Sequence, residues 1–246
     1  MREFAPGIHL VESTVRFYGV RIQTRMTVVQ LSGSRLFLHS PVPLDAPLRR
    51  DLDSLGEVAF VVSPNKIHHL SIGEYIDAYP RARVFASPGL SERRADLAFD
   101  GVLGDQPDPG WAAELDQAEV RGNVFFAEIV FLHRASRTLI VTDLVENLDS
   151  ETASVFGRTL ARLFGVGSQP VASPEHRLYT TDVAAAAESL ERILSWDFER
   201  IILSHGTLIE SDGRAVMDTV AQHLVSRVRS RSGASKKILG LLARLQ

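Results

Sequence analysis

Four of the chain's eight histidines and one of its aspartates stand where a strand-like apolar run gives out. His39 follows Leu36-Phe37-Leu38, His68 and His69 lie in the loop after Val58–Val62, Asp143 follows Leu139-Ile140-Val141-Thr142, and His205 follows Ile201-Ile202-Leu203-Ser204. The carboxyl ends of strands are where α/β proteins gather ligands. Imidazole and carboxylate suit borderline divalent ions. His68, His69, Asp143 and His205 could therefore hold one metal, zinc first, with iron or manganese as alternatives. Cysteine is absent, which excludes thiolate ligands, disulfides and a cysteine nucleophile.

Each candidate has a plainer use. His68 and His69 can cap and pack a helix start, and adjacent helical positions point about 100° apart; of the two, His69 is the favoured ligand. Asp143 can cap the segment that follows, a task open also to Asn147, Asp149 and Ser150. His205, ahead of Gly206, can be an ordinary buried histidine. His39 and Asn65 suit the role of outer partners that orient ligands, and His133 reads as structural.

These residues need elements to carry them. Short β-like bursts at Ile8–Val11, Val20–Ile22, Met26–Leu31 and Arg35–His39 predict an antiparallel meander. Asp45 can cap a helix through Leu55, ahead of the run Val58–Val62; a second helix over His68–Tyr79 ends at Pro80, before a strand at Arg83–Ala86. Leu90 to Gly122 reads as loops, a short helix and one strand. Helices follow at Thr152–Phe164 and Asp182–Trp196, then the strand Arg200–Leu203, then helices from Asp212 onward. This order argues for a layered α/β sandwich rather than a doubly wound parallel sheet.

Asn123–His133 and Thr138–Asp143 are two apolar runs joined by a hairpin-sized turn. If residues 133 and 138 face each other, antiparallel pairing keeps the sum of partner numbers constant and sets Glu128 opposite Asp143. Glu128 is then an extra ligand or a general base with a raised pKa, or else simply a paired strand carboxylate.

On these residues the chain resembles the metallo-β-lactamase superfamily, whose members carry an H-x-H-x-D-H loop after a strand, a later lone His, an Asp after a strand and a final His. Here the loop reads Pro64-Asn65-Lys66-Ile67-His68-His69 and runs into a helix ending at Tyr79-Pro80, then Ala82–Ala86. The resemblance implies a four-layer αββα sandwich. It sets the first two histidine positions on Pro64 and Lys66 and the later lone one near Asn123 or Val124, so one metal position is lost. The other metal's ligands fall on His68 (an Asp in the pattern), His69, Asp143 and His205, and His39 stands where an Asp is usual. Lys66, at a former ligand position, could replace the missing cation and fix an anionic group, or be a solvated loop lysine. More narrowly, the stretches at residues 63–70, 136–144 and Ser87-Pro88-Gly89-Leu90 look like a branch catalogued only as a domain of unknown function.

A chain of 246 residues, 45% hydrophobic and 23% charged with no mid-chain linker, predicts one compact domain over 1–246. A net charge of −3 gives no reason to expect a nucleic-acid partner. The N-terminus MREFAPGIHL has no apolar core, and no run approaches the ~20 apolar residues of a membrane span, which predicts a cytoplasmic protein. Arg227, Arg229, Arg231, Lys236, Lys237 and Arg244 meet no nearby acid, and a basic helix at about 234–246 would pack on its own domain or on a second subunit, as in a homodimer, more readily than on a membrane. The leading functional expectation is a single-metal, hydrolase-like protein whose activated water attacks an ester-like or phosphoester-like bond of a small molecule. A catalytically silent ligand-binding or scaffold protein is the alternative, and a one-iron redox protein ranks last.

Overall fold

The computed structural model describes residues 1–17, 20–125, 127–147 and 169–226. The helix expected at Thr152–Phe164 and the basic helix at about 234–246 lie outside the described residues.

Two sheets stack face to face. The first runs in chain order: β1 (Arg2–Ala5), β2 (Ile8–Phe17), β3 (Val20–Leu31), β4 (Arg35–His39), β5 (Glu57–Val62), β6 (Arg83–Ala86) and β7 (Gly101–Val102). Its first four strands pair antiparallel, as the meander predicted, and β4 to β7 pair parallel. The second sheet has the order β11 (Arg200–Ile202), β10 (Thr138–Ile140), β9 (Glu128–His133), β8 (Leu115–Val120). Phe37, Phe60, Phe85 and Trp111 meet Ile129, Phe131, Ile140 and Ile202 between the sheets. Trp111 is fully buried, with Phe37, Phe60 and Phe85 all edge-on at 4.8–5.2 Å.

Helices cover both outer faces. α1 (Ala46–Leu55) and α2 (Ile72–Ala78) bury Leu48, Leu52, Ile72 and Tyr75 against Leu36, Leu38 and Val61. Asp45 caps α1 by accepting from the Leu48 N–H at 2.8 Å. On the far side, after the short α3 (Leu90–Arg93) and α4 (Pro174–Tyr179), α5 (Val183–Leu194) and α6 (residues 213–226) bury Leu190, Ile193, Met217 and Val220 on Val130 and Leu139. The result is the αββα sandwich. No helix among the described residues is long and apolar enough to cross a membrane.

The early strands differ from expectation in length. β2 and β3 form one ribbon paired from Ile8↔Val29 to Phe17↔Val20, where the apolar pattern showed only bursts. Glu12, Ser13 and Thr14 break that pattern without breaking the ladder, because pairing uses main-chain groups that every such residue has. Leu90–Gly122 yields two strands, not one. The hairpin register is Thr138↔His133, Leu139↔Leu132, Ile140↔Phe131. The partner sum of the sequence argument is therefore the observed one.

Candidate metal centre

His68 enters from the loop after β5. That loop is held by Asn65, whose Oδ1 accepts from the Ile67 and His68 N–H groups at 2.8 and 3.0 Å, and by Pro64, whose carbonyl accepts from the Ile129 N–H of the opposite sheet at 2.9 Å. Asp143 follows β10, and His205 follows β11, its parallel neighbour. Both sheets thus contribute at their shared upper edge.

There the His68 Nε2 lies 3.4 Å from Asp143 Oδ2, the His205 Nε2 lies 3.3 Å from Asp143 Oδ1, and the two Nε2 atoms are 3.3 Å apart. Among the described residues these three form the group of ligand-type side chains close enough to share an ion. Donors about 2.0–2.1 Å from a tetrahedral zinc stand about 3.3–3.4 Å from one another. The donor set and its spacing fit a single small divalent ion. Each member is also oriented from behind, as metal ligands usually are. The His68 Nδ1 is hydrogen bonded to Ser40 Oγ at 2.7 Å, the His205 Nδ1 donates to the Gln23 carbonyl at 2.7 Å, and Asn65 Nδ2 donates to Asp143 Oδ2 at 2.7 Å. Ser40 reaches His68 from a left-handed backbone conformation, φ 58°.

Charge is shared tightly. Burial opposes ionisation of Asp143, yet His68 and His205 hold its carboxyl well below the usual carboxylate range. Burial would lower His205, but the hydrogen bond and charge of Asp143 outweigh it and push the imidazole up to about 9.

The four-ligand set of the sequence reading becomes three. His69 was the favoured histidine, but its Nδ1 accepts from Arg94 Nη1 at 3.1 Å, outside the trio. The cause is the expected divergence of adjacent side chains, applied in the other sense. Burial, then the charges of Arg94 and Arg93, lower the His69 pKa. Glu128 is corrected as well. It lies opposite the Thr142–Asp143 segment as the register required, but Oε1 accepts from the Thr142 N–H at 2.7 Å, and Oε2 from the Asp143 N–H at 3.0 Å and from His176 Nε2 at 3.1 Å. A fully buried carboxylate so engaged positions Asp143 and is shut off from solvent. His39 makes no hydrogen bond to the trio; its ring lies edge-on to Phe131 at 5.5 Å, its Nε2 has no partner among the described residues, and burial, then the charge of His68, push its pKa down to about 3. The Lys66 side chain lies over Gly89. His133 is bonded to Ser136 at 2.7 Å at the far end of β9.

Two further participants carry no motif in the sequence. Arg25, buried in β3, donates to the Leu203 and Gly206 carbonyls on either side of His205 and to Glu12 at 3.2 Å. Half-buried Glu146 is raised to about 8 by burial, with His205 opposing and Asp143 reinforcing. The period-2 pattern of β3 alone could have marked Arg25, as a charge on the face that carries Thr27 and Val29 inward.

Removing the Asn65 amide should loosen Asp143 without removing a ligand. Asn65→Ala is expected to weaken metal binding about 10- to 100-fold, measured by competition with a chromogenic chelator. Unchanged affinity would mean that the main-chain anchor from Glu128 suffices to place the carboxylate.

No curated protein matches the chain in sequence. Among solved structures, a metallo-β-lactamase from Pontibacter korlensis is similar at 13% identity and TM-score 0.60, over 93% of this chain and 97% of that one. FIM-1 from Pseudomonas aeruginosa, a metallo-β-lactamase solved in its mono-zinc form, gives 10% and 0.60 over 91% and 94%. The metal-soaked Flv1 flavodiiron core from Synechocystis gives 12% and 0.62 over 91% of this chain and 60% of that one. Likeness at such identities establishes the metallo-β-lactamase fold and no shared activity. Residues 7–175 match the family described as Domain of unknown function (DUF4336), and to that family, on this fold, the chain belongs.

Proposed function

We propose that the protein is a metal-dependent, hydrolase-like protein in which His68, Asp143 and His205 hold one divalent ion, and that it acts on an ester-like or phosphoester-like bond. The supporting observation is the convergence of the three donors at 3.3–3.4 Å, each backed by an outer partner. A bound ion would supply Lewis acidity and a water of lowered pKa. The chain supplies the orientation. Ser40 and Gln23 fix the two rings, Asn65 and Glu128 fix the carboxylate and its main chain, and Arg25 fixes the loop that carries His205.

Tag-free protein is expected to contain about one zinc, iron or manganese per chain by elemental mass spectrometry, and the metal-loaded form to cleave members of an ester and phosphodiester panel. A second reading, a binding or scaffold protein without catalytic metal, is favoured by one observation: Pro64 and Lys66 stand where the superfamily's pattern has its first two histidines. A folded, metal-free wild-type chain selects that second reading.

A further inference from the structure

Two cations without a carboxylate partner among the described residues belong to the loop that carries His68 and to the helix bonded to that loop. Lys66, half-buried, lies in the β5 loop between Asn65, which holds Asp143, and His68. Its Cε and Nζ lie so close over Gly89 that a Cβ there would run into both. Gly89 is the third residue of a type II turn: the Leu90 N–H donates to the Ser87 carbonyl at 3.1 Å, Pro88 takes the second position, and Gly89 has φ 72° and ψ 9°. Arg93, on the short helix that follows, donates from Nη1 to the Lys66 carbonyl at 3.3 Å. Neighbouring Arg94 is neutralised by Asp96 at 2.8 Å, whereas among the described residues no carboxylate pairs with Lys66 or Arg93. In the same turn, the fully buried Ser87 hydroxyl has no hydrogen-bond partner among the described residues.

We propose that Lys66 and Arg93 form an anion-binding subsite that takes a phosphate or carboxylate group of the substrate next to the metal trio. Neither charge is neutralised by a carboxylate among the described residues, and an anion with several oxygens can accept charge-assisted hydrogen bonds from both. The half-burial of Lys66 strengthens such a pairing over one in open water. The turn is shaped for it, because only glycine at position 89 leaves room for the lysine stem. The inference rests on the hydrolase reading for its substrate: the trio takes the scissile bond, and Lys66 with Arg93 takes a separate charged end.

Inorganic phosphate titrated calorimetrically into the full-length protein as purified tests it. Saturable binding is expected, with Kd rising about tenfold in Lys66→Ala and in Arg93→Ala, the loss of one charge-assisted contact each. Gly89→Ala removes no charge but displaces the Lys66 stem, and should weaken binding in the same direction. Arg81→Ala, a remote cation 87% exposed, should leave Kd unchanged. Circular dichroism verifies folding, and if Gly89→Ala misfolds, the two charge variants carry the test. No saturable binding to wild type, or wild-type Kd in both charge variants, overturns the subsite. Metal content, measured on the same samples, separates the two ideas: a metal-bearing protein that ignores phosphate keeps the hydrolase reading and loses the subsite, and a metal-free protein that binds phosphate through Lys66 and Arg93 does the reverse.

Discussion

Asp143→Ala is expected to hold no metal above background while wild type holds about one ion per chain, a loss beyond the ~100-fold reached by removing an outer partner alone. Asp143 is the trio's carboxylate, and both of its oxygens are committed: Oδ1 faces His205 at 3.3 Å, and Oδ2 faces His68 at 3.4 Å and accepts from Asn65 at 2.7 Å. Its removal leaves two imidazole nitrogens 3.3 Å apart with no negative charge between them. It also removes the strongest influence raising His205, leaving burial opposed only by the Gln23 carbonyl and Glu146. Elemental analysis beside circular dichroism separates loss of the ion from loss of the fold. A folded Asp143→Ala variant that retains one ion at wild-type affinity would remove Asp143 from the site.

The second large effect is on stability. Glu128→Ala should lower unfolding free energy by about 3–5 kcal/mol, and Tm by about 10 °C, in a thermal scan. The truncation deprives the Thr142 and Asp143 N–H groups and the His176 Nε2 of their acceptor at a point with no solvent exposure. A glutamine there retains the shape but turns an NH2 toward one of the three donors, so Glu128→Gln should fall between alanine and wild type. A loss under about 1 kcal/mol in the alanine variant would show that the strand end reforms its bonds elsewhere.

The contrast between Glu128 and Arg25 shows what was legible in the sequence. Glu128 could be set opposite Asp143 because antiparallel pairing is arithmetic: once one facing pair of the hairpin is known, the rest follow. Asp143 and His205 were legible because apolar runs end just before them, and strand ends gather ligands. Between His68 and His69 no such rule decides. They are neighbours in a loop, and side chains distant from any motif, Asn65 capping the loop at Ile67 and His68 and Ser40 bonded to the His68 ring, fix which imidazole turns inward. Arg25 and Gln23 act on residues about 180 positions away, partly through main-chain atoms that carry no residue-type signal. The full lengths of β2 and β3 were hidden for a related reason, since their ladder depends on backbone pairing and not on an apolar alternation.

The three ligand positions also fix when in the life of the chain the centre can exist. The first sheet uses strands contiguous in sequence from Arg2 to Val102, so it can pair as it is synthesised. The trio cannot, because His205 follows β11, the last strand among the described residues, and that strand must first pair in parallel with β10 across the intervening α4 and α5. Nascent chains stalled short of β11 would present His68 and Asp143 without their third member. A complete set of three donors would therefore come together late, once β11 has docked beside β10 and brought His205 to the edge where His68 and Asp143 already stand.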